Sequence, residues 1–281
     1  MSGSSVLASD VIQRVSDMLA AGGIGPSERE AQWLLEAATG ITRARLANAV
    51  PLDPATEAAV LALAERRIAG EPLQYITGLA GFRRLELEVG PGVFIPRPET
   101  ELVAEHAMEA LPRGGTLIEV GTGSGAIALA VADERPDAQV IGTETSTEAL
   151  EWAIRNRDKL ALEVELIECD LLEGLPASLA GHVDVIVSNP PYVPEGFVLP
   201  VEVREHEPHV ALFAAGEGMS IIDRLTKQAL EWLRPDGVLI LEIGEVQRDA
   251  VCSSLIRDGY ADVGVADDMS GRPRIAHGRA P

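Results

Sequence analysis

Cysteine is almost missing from this chain. Two occur in 281 residues, Cys169 and Cys252, far apart and without metal-ligand spacing. A disulfide scaffold is excluded, and a reducing, cytoplasmic setting is expected. Long apolar runs are missing as well: nothing approaches the about 18 residues that a transmembrane helix needs, so no membrane association is expected. The opening residues, MSGSSVLASD, place no basic cluster before an apolar stretch, and no signal peptide is expected. Basic residues are scarce beside acidic ones, with Lys+Arg 23 against Asp+Glu 44 and a net charge of −21. Residues 1–84 hold 8 basic and 9 acidic side chains; the rest hold 15 and 35, a net of −20. So acidic a body repels phosphate backbones at long range and carries no basic stripe, so direct nucleic-acid binding is not expected.

What is present describes an ordered globular protein. The chain is 46% hydrophobic and 24% charged, with a mean hydropathy of +0.12, and its length suits one large core with a smaller satellite domain. Residues 1–78 read as helical. Ser9 or Asp10 is placed to cap a run from Val11 to Leu19 that Gly22-Gly23 ends. Ser27 and Glu30 match a capping box opening a helix through Trp33, Leu34 and Leu35 to Gly40. A short helix is predicted near Ala44–Ala49, and Asp53-Pro54 starts another through Val60 and Ile68 to Gly70. Residues 79–98 read as a β-hairpin linker carrying Leu85, Leu87, Val89, Val93 and Ile95.

From residue 99 to 281 the pattern alternates. A helix over Thr100–Leu111 leads into strands at Thr116–Val120, Gln139–Thr143, Glu163–Glu168, Val183–Ser188 and Val238–Ile243. Helices fall between them at Ala126–Asp133, Thr147–Leu160 and Met219–Leu233. This is the grammar of an α/β domain with a mostly parallel sheet, whose ligands bind beyond the carboxyl ends of the strands.

Those strand ends carry the chemistry. Glu119-Val120-Gly121-Thr122-Gly123-Ser124-Gly125 runs from a buried strand into a glycine turn and then a helix. Glycines there allow positive φ and a close ligand approach. The spacing fits a dinucleotide fingerprint as well as S-adenosylmethionine, so the loop by itself leaves a nicotinamide dehydrogenase open. Glu144 closes the next strand, where a carboxylate accepts ribose hydroxyls, and Asp170 follows the one after, within reach of an adenine amino group. Three such features point to an adenosine-containing cofactor. At the end of Val183–Ser188 stands Asn189-Pro190-Pro191-Tyr192. The prolines keep the backbone extended and remove two N–H donors. The Asn189 side-chain oxygen and the Pro190 carbonyl can then accept both hydrogens of a planar NH2 group. An amide or aromatic amine nitrogen is a poor nucleophile, and two acceptors orient it and favour its pyramidalisation in the transition state. Tyr192 walls the planar group.

An Asn-Pro-Pro-Tyr tetrapeptide after the fourth strand, downstream of a glycine loop, resembles the S-adenosylmethionine-dependent N-methyltransferases. Phe94-Ile95-Pro96-Arg97-Pro98-Glu99-Thr100-Glu101, Glu71–Gly78, Glu207-Pro208 and Ala211-Leu212 narrow the resemblance. The chain is similar to the HemK/PrmC family of peptide chain release factor glutamine N5-methyltransferases. The resemblance implies a Rossmann-like, seven-stranded methyltransferase domain and methyl transfer from S-adenosylmethionine to the GGQ-motif glutamine of class-1 release factors. By the family's pattern, Gly121, Thr122, Gly123, Ser124 and Gly125 hold the methionine part of the cofactor, Glu144 its ribose, and Asp170 and Leu171 its adenine, with Asn189 alongside. Asn189, Pro190 and Tyr192 would be the catalytic residues, Asn189 to Tyr192 would grip the glutamine amide with Phe94 and Arg97 nearby, and the N-terminal helices would dock the release factor. Glu119 and Glu144 stand where the family more often has Asp, and Leu171 where an aromatic can occur.

Rival readings are a glutamine methyltransferase for another protein, such as a ribosomal protein, an adenine-N6 nucleic-acid methyltransferase using the same tetrapeptide, and a non-catalytic binding module. Glu205-His206-Glu207-Pro208-His209 lacks the order and the unbroken helix of a zinc motif; it is expected to be a solvated loop, and no metal is expected. Arg97 is expected either to meet a carboxylate of cofactor or substrate or to pair with Glu99 or Glu101. Glu242 ends a strand and is read as either pocket-facing or structural. Trp33, Trp152 and Trp232 are expected in the core.

Overall fold

The computed structural model describes residues 5–42, 44–45 and 49–281. In chain order the elements are β1 (Val6–Leu7), α1 (Ala8–Ala21), α2 (Ser27–Thr39), β2 (Pro51–Leu52), α3 (Pro54–Ile68), α4 (Leu73–Thr77), β3 (Leu79–Phe82) and β4 (Leu85–Glu88). Then come α5 (Thr100–Ala110), β5 (Thr116–Val120), α6 (Ala126–Glu134), β6 (Gln139–Glu144), α7 (Thr147–Leu160), β7 (Glu165–Glu168) and β8 (Val183–Ser188). The last part holds β9 (Val193–Pro194), α8 (Val201–His206), α9 (His209–Leu212), β10 (Phe213–Ala214), α10 (Ser220–Trp232), β11 (Leu233–Glu242), α11 (Arg248–Asp258), β12 (Ala261–Asp267) and β13 (Pro273–Arg279). Two compact units result: Met1–Leu79 with Leu199–His206, and Ala80–Val198 with Glu207–Pro281.

In the first unit, Val11, Val15 and Leu19 of α1 pack with Leu34 and Leu35 of α2 and Val60 and Ala64 of α3. Asp53 caps α3 by accepting from the N–H groups of Ala55 and Thr56 at 2.9 Å each, and Pro54 at the first helical position forfeits no bond. The capping box expected of Ser27 and Glu30 does not form. Pro26 precedes the helix, Ser27 is its first residue, and its hydroxyl lies 3.1 Å from that of Ser16. Glu30 is buried and accepts instead from Arg67 Nε at 2.7 Å, and Arg67 also donates to Glu202 of α8 at 2.9 Å. A buried guanidinium needs carboxylate partners far more than an exposed helix end needs a second cap. Trp33 is 44% exposed, not core, because Ala31, Leu34 and Leu35 form the buried stripe of α2. The helix predicted near Ala44–Ala49 falls on a stretch of which residues 46–48 lie outside the described residues.

The hairpin is shorter than the predicted linker. β3 and β4 join through Arg83-Arg84, and 89–97 continues as a loop, with Val89, Val93 and Ile95 buried without pairing as strand. This loop is seated on α7. A Cβ at Gly90 would lie 2.7 Å from the Trp152 ring, whose Nε1 donates to the Pro91 carbonyl at 3.2 Å. Trp152 is therefore half-buried against the loop, as Trp232 is half-buried at the end of α10.

The second unit is built on a seven-stranded sheet in the order β12-β13-β11-β8-β5-β6-β7. The five strands from β11 to β7 are parallel, while β13 runs antiparallel to β11 and to β12. Both faces are covered, so successive residues feed opposite cores. Leu117, Val185, Val187 and Ile240 pack on one side with Val103, Ile127 and Val131. Ile118, Ile186, Leu239 and Leu241 pack on the other with Ile222, Leu225 and Val251. Each such side chain, fully buried, contributes about 1.5–3 kcal/mol. β11 starts at Leu233, earlier than predicted, and takes a register shift between Leu233 and Val238. The strand order reverses between β5 and β8, and Val120, Glu144, Ser188 and Glu242 end neighbouring strands there. Among the described residues no helix is long and apolar enough to cross a membrane.

Candidate active site

A pocket opens beyond those strand ends, at the reversal point where α/β sheets bind ligands. It is lined by Phe94, Gly121, Thr122, Gly123, Ser124, Glu144, Asp170, Leu171, Asn189, Pro190, Pro191 and Tyr192 of the residues singled out in the sequence, and also by Thr100 and Glu119. Gly125 and Arg97 are not among the lining residues. Gly125, at φ 86°, caps α6, and a Cβ there would fall 2.7 Å from Leu129 Cδ1. Gly121 and Gly123 have φ of 71° and 55°, and a Cβ on either would enter open space. That space is a cradle only glycines leave clear, as a cofactor lying against the backbone requires.

Carboxylates shape this end. Glu144 accepts from the N–H groups of Gly123, Thr145 and Ser146, each at 2.9 Å, so it ties the glycine loop to the start of α7. Glu119 is buried behind the loop and accepts from Thr122 Oγ1 at 2.5 Å and from the Ala128 N–H at 2.8 Å. Burial pushes its carboxyl up to about 8, against those two hydrogen bonds and with help from the Glu144 charge. Asn156 of α7, which the sequence reading passed over, donates to the Ser124 and Glu88 carbonyls at 2.9 and 3.0 Å and accepts from the Glu88 N–H at 2.7 Å. Its amide joins the glycine loop to β4. Only its burial in a polar-looking helix position could have signalled it. Asp170 is exposed and accepts from Arg224 at 2.7 Å, and Leu171 beside it is held at φ 53°.

At the other end, β8 delivers Asn189-Pro190-Pro191-Tyr192. Asn189 Nδ2 donates to Thr100 Oγ1 at 3.2 Å, and Thr100 Oγ1 donates to Glu242 Oε2 at 2.6 Å. The Tyr192 hydroxyl donates to Glu242 Oε1 at 3.2 Å, and its carbonyl accepts from Gln247 Nε2 at 3.0 Å. Glu242 is not among the residues that line the pocket; 2% exposed, it holds Thr100 and Tyr192, which are, so of the two roles open to it in the sequence it takes the structural one. Burial raises its carboxyl, opposed by Thr100, Arg274 and Tyr192; burial, joined by the Glu242 charge, also raises the Tyr192 phenol. Thr100, Glu242 and Gln247 lie 50 or more residues from the groups they hold, so no local pattern reveals these pairings, although Glu242 stands out in the sequence as a strand-end acid.

Two expectations are corrected. Arg97 meets neither Glu99 nor Glu101: it pairs with Glu207 and stacks on Phe94, its guanidinium carbon 4.7 Å from the ring centroid. Glu205–His209 is no solvated loop. α8 ends at His206, and Glu207 is buried, accepting from the Ile95 N–H at 3.1 Å as well as from Arg97. A buried carboxylate of this kind requires a cation and a backbone donor, and the 94–97 loop supplies both. Among the described residues, no three His, Cys, Asp or Glu side chains cluster as metal ligands do.

The chain matches the PrmC N-terminal domain family over residues 10–78 and the Methyltransferase small domain family over residues 87–200. It is 40% identical to the Release factor glutamine methyltransferase of Mycolicibacterium smegmatis, covering 94% of each chain. With the protein of the same name from Geobacter sulfurreducens it shares 39% identity over 93% of this chain and 92% of that one. Among solved structures it resembles a methyltransferase from Pyrococcus furiosus, with a TM-score of 0.53 and 22% identity, covering 69% of this chain and 88% of that one. That likeness is one of fold.

Proposed function

The chain belongs to the release factor glutamine methyltransferase family, and from that premise we propose the full reading of its site. It moves a methyl group from S-adenosylmethionine to the side-chain amide nitrogen (N5) of the GGQ-motif glutamine of class-1 peptide chain release factors. The observation that carries this reading is the state of Asn189. Its amide nitrogen is engaged by Thr100 at 3.2 Å, which leaves Oδ1 as its free acceptor in a pocket that Asn189 lines together with Pro190 and Tyr192.

The residues fit the cofactor. The open space over Gly121 and Gly123 and the carboxylate of Glu144 at the end of β6 suit the methionine and ribose portions, while Asp170 and Leu171 suit the adenine. When bound, S-adenosylmethionine supplies a methyl group activated by a sulfonium. Asn189 Oδ1 and the Pro190 carbonyl accept the two hydrogens of the target NH2 and hold its lone pair out of conjugation as the new bond forms. Tyr192 flattens the amide against its ring, with the hydroxyl anchored on Glu242. No strong base is needed, because the alkylated nitrogen is acidic and releases its proton late.

The helical N-terminal unit docks the release factor, and no direct nucleic-acid, membrane or metal contact is involved; the net charge of −20 beyond residue 84 supports the first exclusion. A cytoplasmic location suits two free cysteines. The test is intact-mass analysis of a purified release factor incubated with this protein and S-adenosylmethionine, with fragmentation to place the methyl. One methyl on the GGQ glutamine is the expected result. Cofactor binding without any methyl on a release factor would move the substrate to another protein.

A further inference from the structure

We propose that Thr100 and Glu242 form a positioning relay that locks Asn189 as an acceptor and thereby makes the site select a carboxamide over a carboxylate. This rests on the amide-gripping reading of Asn189 above.

A side-chain amide can present either its oxygen or its nitrogen, and the two differ by a half-turn that changes almost nothing in shape. Something must therefore decide which end of Asn189 faces the substrate. Thr100 is the first residue of α5 and is 4% exposed; Glu242 ends β11 and is 2% exposed. A hydroxyl has one hydrogen, and the Thr100 hydroxyl commits it to Glu242 Oε2 at 2.6 Å in a dry site. Toward Asn189, 3.2 Å away, Thr100 can then only accept. The amide nitrogen must face Thr100, because the turned-over amide would set Oδ1 against oxygen lone pairs with no hydrogen between them. Oδ1 is consequently fixed toward the pocket. The same carboxylate accepts from Tyr192, so one buried acid sets both the acceptor and the wall of the amide site.

The consequence is chemical selectivity. A glutamine amide brings two hydrogens to the two acceptors, Asn189 Oδ1 and the Pro190 carbonyl. A glutamate carboxylate brings none and meets lone pairs on both sides. Sites whose buried polar groups are left unpaired by the wrong ligand reject it strongly. Without the relay, Asn189 is free to turn and offer its N–H groups, which a carboxylate accepts.

The experiment compares wild type, Thr100→Val, Thr100→Ser and Glu242→Leu. Three quantities are read: the Kd for S-adenosylmethionine by calorimetry, kcat on a release factor, and competitive inhibition by the same release factor with its GGQ glutamine changed to glutamate. For Thr100→Val we expect kcat to fall about 10- to 100-fold, the scale of one lost hydrogen bond to a charged group. The cofactor Kd should stay within about threefold, and the glutamate form should gain at least about tenfold as an inhibitor relative to the glutamine form. Thr100→Ser keeps the hydroxyl and should recover most of kcat and the original preference. An unchanged preference in Thr100→Val, or a Thr100→Ser variant no better than valine, overturns the relay. Should Thr100→Val fail to fold, Glu242→Leu decides: with no acceptor left at 242, the Thr100 hydrogen is free to turn to Asn189, so the preference must narrow, and an unchanged preference is equally fatal. Wild type that places no methyl on the glutamine would instead overturn the underlying functional reading.

Discussion

At the cofactor end of the pocket, carboxylates hold backbone. Glu144 gathers three N–H groups and Glu119 a fourth, and the ligand-facing surface is a turn of glycines. At the amide end, carboxylate and hydroxyl hold side chains: Glu242 and Thr100 orient Tyr192 and Asn189 across three distant parts of the chain. Backbone contacts are available to any sequence that makes the turn, which is why the first arrangement suits many methyltransferases. Side-chain contacts depend on which residues meet, and the proposed choice of substrate rests on them. The difference teaches that damage at the two ends must appear in different constants: cofactor affinity at one, turnover at the other.

The sharpest break is Asn189→Ala. Removing one preorganised acceptor should lower kcat by about 10²–10³-fold while calorimetry finds the cofactor Kd nearly unchanged; a parallel loss of affinity would merge the two ends into one. Glu144→Gln is the mirror image. An NH2 turned toward backbone donors loses charge-assisted bonds worth about 1.5–3 kcal/mol, so cofactor affinity should fall roughly 10- to 100-fold, with kcat at saturating cofactor little altered. Gly123→Ala should weaken the same affinity, because its Cβ would enter the open space over the loop that the cofactor is proposed to fill; the φ of 55° adds a cost in stability of about 1–2 kcal/mol. Equal affinity for the alanine variant would mean the loop is not a cradle. The smallest effect concerns Glu119. With its carboxyl pushed up to about 8 in the fold and an ordinary value near 4.5 in the unfolded chain, the folded protein keeps a proton that the unfolded chain has released. Stability of the cofactor-free protein should therefore fall as pH rises between those values. Glu119→Gln should flatten that slope in thermal melts, and an unaltered slope would remove Glu119 from the account.

Much of the cofactor end was legible in the sequence because its signals are local. Gly121 to Gly125, Glu144 and Asp170 each follow a strand whose apolar run announces itself, and the sheet that aligns them follows from the alternation of elements. The tetrapeptide was legible for the same reason. Its support was not. Thr100 reads as an ordinary helix start, Gln247 as a surface amide, and Glu207 as part of a polar loop. Each gains its role only when folding brings it to a partner 55 to 142 residues away. Glu30 shows the error that local reading invites: its spacing from Ser27 matches a cap, yet the burial of Arg67 claims it. Leu171 at φ 53° is a similar case, since nothing about a leucine announces a left-handed backbone.

The most direct test of the central claim is a single-turnover assay of Asn189→Ala and Glu144→Gln beside wild type, with cofactor held far above each Kd. The account predicts slow methyl transfer for Asn189→Ala and near-normal transfer for Glu144→Gln once its site is filled. Equal rates for the two variants would contradict the division of the pocket into an end that binds the cofactor and an end that activates the amide.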